Sequence, residues 1–171
     1  MAAGFTHTPI ATTTLASAAA SYTFSSISGS YTDLVLVMSG QSVQATTYDN
    51  LVIQFNGDTA TNYSRTRLNG YSAGGATDRS LSTTSHLIGP ITGTSYSSSI
   101  FSPSITHIMN YSNATTYKPA LYRSNSQDGY VQLGVALWRS TSAITSILIK
   151  TLSGSNLATG STFTLYGILA A

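Results

Sequence analysis

The chain has 171 residues, 42% of them hydrophobic, which suits one domain with a full core and is too apolar for a disordered chain. Only 7% are charged and glutamate is absent, against about 25% charged residues in an ordinary soluble domain. A formal charge of +2 with no cysteine excludes the basic field of a nucleic-acid binder, disulfides and thiolate metal sites.

Ser and Thr carry the polar work. Their hydroxyls compete for backbone groups inside helices, whereas Thr and Tyr suit strands. The composition therefore points to β-structure. A surface so poor in charge is also weakly protected against self-association, which fits either a solvated Ser/Thr coat or a surface covered by neighbours.

In chain order, residues 1–20 have neither a basic leader nor a continuous apolar core of a signal peptide. They are expected to form an N-terminal arm ahead of the domain, with Phe5, Pro9 and Ile10 as candidate docking residues. The Ala-rich stretch 13–20 can alternatively form one helical turn. Strand signals begin at Tyr22 and Phe24, followed by the continuous run Leu34 to Met38, which reads as a strand buried on both faces. Leu51, Ile53 and Phe55 alternate ahead of a turn at Asn56-Gly57. Residues 63–68 are a polar strand candidate ending at Asn69-Gly70, and 71–85 read as a loop rich in Gly, Ser and Thr.

Residues 93–99 read as a second loop, and Ile105 and Ile108 mark a strand. The cleanest alternation runs from Tyr130 to Trp138, with Val131, Leu133, Val135 and Leu137 on one side and Gln132, Gly134 and Ala136 on the other. Residues 144–150 and 162–168 complete the set. Turns recurring every 8–12 residues or so predict two packed antiparallel sheets, a single β-sandwich domain over residues 21–171. No apolar run approaches the ~18 residues of a membrane span.

Catalytic chemistry finds no foothold. His7, His86 and His107 stand apart in sequence with no Gly-x-Ser-x-Gly elbow, and His107 reads as a hydrogen-bonded strand histidine. No spacing suits a metal site, and Asn56-Gly57-Asp58 reads as a turn rather than a calcium loop. The expectation is a protein that is not an enzyme and needs no metal or cofactor. Arg65 and Arg67 share one strand face and are candidate interface residues for an acidic neighbour, or else a solvated face that resists edge pairing. The abundant Tyr residues can line a carbohydrate surface or be half-buried in strands. Trp138 is expected in the core or a subunit interface.

Four segments, SGSYTDLVLV (28–37), LVIQFNGDTATNYS (51–64), ITHIMNYSNATTYK (105–118) and 138–168 with WRSTSAITSILI and GSTFTLYGI, together resemble a family of small jelly-roll proteins and domains of tailed bacteriophages, particularly those of cyanobacteria and other aquatic bacteria. Gln54 departs from that family, which often has Arg before the Phe-Asn-Gly turn. The resemblance implies an all-β, antiparallel jelly-roll sandwich. It also implies a virion structural protein: a capsid decoration, or cement, protein bridging major capsid proteins at the capsid surface. A homotrimer is the expected assembly, since jelly rolls tend to close around an axis. Nucleic acid and membrane are not expected as partners. The alternative is a tail-fibre or receptor-binding module that recognises host surface glycan.

Overall fold

The computed structural model describes residues 6–169, which form twelve strands and no helix. The strands are β1 (His7–Thr14), β2 (Ser21–Phe24), β3 (Asp33–Gly40), β4 (Tyr48–Phe55), β5 (Tyr63–Tyr71), β6 (Gly74–Thr83), β7 (His86–Thr92), β8 (Ser102–Ile108), β9 (Lys118–Ser126), β10 (Tyr130–Trp138), β11 (Ile147–Thr151) and β12 (Thr162–Ile168). An eight-stranded sheet in the order β1-β12-β3-β8-β9-β10-β5-β6 faces a four-stranded sheet in the order β2-β11-β4-β7. Every pairing between these strands is antiparallel. The two sheets enclose one core in the manner of a β-sandwich.

Alternation builds that core. Leu34, Leu36 and Met38 of β3 and Phe163 and Leu165 of β12 point inward from the large sheet, meeting Phe24, Leu51, Ile53, Phe55, Ile147 and Ile149 from the small one. Tyr22 stacks on Phe163 across the gap with ring centroids 5.4 Å apart. Farther along, Phe55, Tyr63, His86 and Trp138 form one aromatic cluster. The turn after β4 locks it. Asn56 and Gly57 take positive φ, and the Asp58 that follows accepts hydrogen bonds from Trp138 Nε1 at 2.6 Å and Asn62 Nδ2 at 2.9 Å.

Several expectations meet a different arrangement. Residues 7–14 are not an arm outside the sandwich but the edge strand β1, paired to β12 and tied by Thr12–Thr164 and Thr14–Thr162 hydroxyl contacts. Ile10 packs partly against the core while Pro9 is exposed, and Phe5 lies outside the described residues. Residues 13–20 form no helical turn. The stretch read as a loop over 71–85 contains β6, because the hairpin turns at Ser72-Ala73 with Tyr71 opposite Gly74, and Asn69-Gly70 stays inside the ladder. Its polar, Gly-rich sequence hid a strand that pairs on one side only. Val35 and Val37 are only half-buried, so β3 is not covered equally on its two faces.

Candidate interaction surface

The two sides of β10 are the key to this surface. Gln132, Ala136 and Trp138 point into the sandwich, and the Val131, Leu133, Val135 side faces outward. A neighbouring side chain decides that polarity. Tyr122 of β9 lies so close over Gly134 that a Cβ there would come within 2.4 Å of its ring, and its hydroxyl donates to Gln132 Oε1 at 3.0 Å. Tyr122 thus fills the core volume that Gly134 vacates. Burial pushes its phenol above its ordinary pKa, so it stays a neutral donor.

Strand register then assembles the outward side chains into rows. Val35 of β3 lies opposite His107 of β8, which lies opposite Leu121, Val135 and Thr66 in turn. The next row runs Val37, Ile105, Arg123, Leu133, Leu68. Leu68, Leu81, Leu121, Val131, Leu133 and Val135 are each 45–58% exposed. Apart from Leu81, which sits in the β5–β6 bulge beyond Thr66 and Arg79, they lie on three adjacent strands, β9, β10 and β5, so the exposed apolar surface they form is continuous rather than scattered. Isolated exposed leucines are ordinary; a connected patch of this kind marks an interaction surface. Between β3 and β5 it dips into an open groove of about 590 Å³ lined by Val35, Leu68, Ile105, Leu121, Leu133 and Val135.

Polar groups punctuate the patch. His107 Nε2 meets Asp33 Oδ2 at 2.9 Å, in accord with a hydrogen-bonded strand histidine, though it lies on the outer face. Arg123 is exposed within its row. Arg65 and Arg67 share a face, but it is the opposite one. Arg67 Nε donates to Asp78 Oδ1 at 2.7 Å, and its second nitrogen reaches Asp78 Oδ2. Arg65 lies 3.9 Å from the same carboxylate. Burial on its own would lower the Arg67 pKa, yet the hydrogen bond and charge of Asp78 hold it above its ordinary value. These two arginines therefore fasten β5 to β6, and of the two only Arg67 borders the groove. Pro9 and Ile10 lie away from it, on β1 at the far edge of the sheet.

A second aromatic feature closes one end of the sandwich. Tyr48 of β4 stacks on Tyr130 of β10 at 5.2 Å, and Tyr71 of β5 lies parallel to Tyr130 at 6.1 Å. Tyr48 and Tyr71, at the two ends of the stack, remain exposed. Among the described residues, no three His, Asp, Glu or Cys side chains are grouped as metal ligands. The apolar patch carried one readable signal in the sequence. Trp138 and the Val131, Leu133, Val135 set differ in strand parity, so burying the Trp in a straight strand turns the aliphatic set outward. No known protein-family model matches this chain and no curated protein matches its sequence.

Proposed function

We propose that this chain is a non-enzymatic structural subunit that works by packing against other proteins, and that its place is the virion, as a capsid decoration protein bridging major capsid proteins. The observation that carries the reading is the continuous apolar outer face of the large sheet. A free-standing small protein has no use for such a surface, whereas a fitted building block does. The sparse charge agrees with this role, since apolar packing and hydrogen bonds are insensitive to salt while exposed ion pairs are not. The viral assignment rests on the sequence resemblance.

The strand order supports a jelly roll as the finer description of the sandwich. The order β2-β11-β4-β7 reproduces one four-stranded jelly-roll sheet, and β3-β8 with β5-β6 reproduces the other once the hairpin β9–β10 is taken as an insertion between β8 and β5. Quantifying the protein in purified particles tests the role. Hundreds of copies per particle are expected, a handful would move it to a tail appendage, and absence from particles would refute it. The tail-appendage reading has its own support in the tyrosine stack, whose exposed end rings offer faces to a sugar. Glycan-array binding abolished by Tyr48→Ala and Tyr71→Ala would favour that reading.

A further inference from the structure

We propose that the outer face of the large sheet is a self-association surface, covered in solution by a second copy of this chain through a head-to-tail contact. The inference rests on the reading of this face as a contact surface and adds its occupant.

Size is the first argument. The five contiguous aliphatic residues of the patch, Leu68, Leu121, Val131, Leu133 and Val135, each about half exposed, offer roughly 400 Å² of apolar surface, a patch size that is often functional when a monomer leaves it open. The half-buried Val35, Val37 and Ile105 border it and extend it toward the ~800 Å² per partner of a standard interface. A sheet face of that extent matches another flat protein surface better than it matches a small molecule, which would remain largely uncovered in so open a groove.

Charge is the second argument. Among the described residues, neither Arg79 nor Arg123 forms an ion pair, and both lie on outward rows of the sheet. Two guanidiniums around an aliphatic centre are too few to recognise a polyanion, which is bound through many phosphate contacts. They do constrain the geometry of self-association. A two-fold contact centred on the patch brings each Arg123 toward its own copy, and like charges juxtaposed across an interface are costly. A head-to-tail contact sets the patch against a different surface of the next copy, and builds a ring where its rotation closes and a filament where it does not. With a formal charge of only +2, the chain has little long-range repulsion to oppose such assembly.

Light scattering after size exclusion of the full chain at about 50 µM tests this, with a mass of three or more 17.9 kDa chains expected. Leu121→Asp and Leu133→Asp each place a carboxylate in the patch at an exposed position. Each is expected to melt within a few degrees of the parent and to weaken association by ~100-fold or more. Leu152→Asp, equally exposed but outside the patch, is expected to leave the mass unchanged. A monomeric parent, or an undiminished mass in both patch variants, overturns the proposal, and a dimer overturns the head-to-tail arrangement. Particle binding separates the two levels of the argument. If the parent is monomeric but Leu133→Asp loses binding to particles, the contact face stands with another occupant. If the parent is monomeric and that variant binds as the parent does, both readings fall; if the parent is oligomeric and the variant is monomeric yet binds as the parent does, self-association stands and the particle-contact reading falls.

Discussion

Acid is expected to weaken the fold through one side chain, His86, at pH values well above those that protonate carboxylates. His86 opens β7, is 1% exposed, and has no hydrogen-bond partner on either ring nitrogen. Its ring sits edge-on to Phe55 at 5.2 Å and to Tyr63 at 5.0 Å. Nothing there solvates an imidazolium, and burial pushes the pKa down from 6.5 to about 3. The folded-state pKa of this base is therefore depressed, so below 6.5 the unfolded chain takes up a proton that the folded chain refuses. Stability falls as pH drops through that window and levels off near 3. Each pH unit inside it is worth about 1.4 kcal/mol, so moving from about pH 7.5 to about pH 4.5 should remove ~2–3 kcal/mol. For a domain of this size that is a melting-temperature drop of roughly 5–10 °C.

The assay is urea unfolding at both pH values for the parent and for His86→Leu. The substitution removes two unsatisfied buried polar atoms at similar volume, so near neutral pH it should be neutral or stabilising. Its loss on acidification should be smaller than that of the parent by the same ~2–3 kcal/mol. Parallel pH profiles for the two proteins, or a resonance assigned to His86 by its loss in His86→Leu that titrates near 6.5 in the folded state, would refute the reasoning.

Two further outcomes follow from the core. Gly134→Ala drives a methyl into the Tyr122 ring and should cost about 1–3 kcal/mol in urea unfolding by overpacking; a neutral result would mean that Tyr122 does not hold β10 in its observed facing. Asp58→Ala strips the acceptor from Trp138 Nε1 and Asn62 and should cost about 1–3 kcal/mol and shift the Trp fluorescence. Burial raises the Asp58 pKa, but the hydrogen bonds from Asn62, Trp138 and Ala60 outweigh it and leave the value below 3.8. The stabilisation from Asp58 is thus present above 3.8 and lost as pH falls through the lowered folded value, distinct from the His86 window.

The sequence carried the class of the fold because composition and period-two patterning act locally. Leu34 to Met38, Leu51 to Phe55 and Thr162 to Ile168 all lie in the expected strands. What it hid depends on neighbours distant in the chain. β6 has no apolar face of its own and exists through its pairing with β5 and the Arg67–Asp78 contact. β1 is Thr-rich and gains its place from β12, about 150 positions away in the chain. The outward facing of Val131, Leu133 and Val135 is set by Tyr122, a residue of another strand. Alternation fixes that a strand has two faces; which one is inside is decided by what fills the space opposite Gly134. Arg65 and Arg67 were legible as one face but not as a clasp, since their carboxylate partner lay in a stretch that looked like a loop.

The pairing of β1 with β12 sets His7 directly opposite Ile168, so the polypeptide enters and leaves the domain side by side at one edge of the large sheet. Tension applied between those two points does not shear the ladder. It loads the hydrogen bonds one after another, like a zipper, and peels β1 away at low force while the rest of the sandwich stays shut. Tethering through these two points would therefore be mechanically soft, and any grip that must bear load has to be taken elsewhere on the molecule.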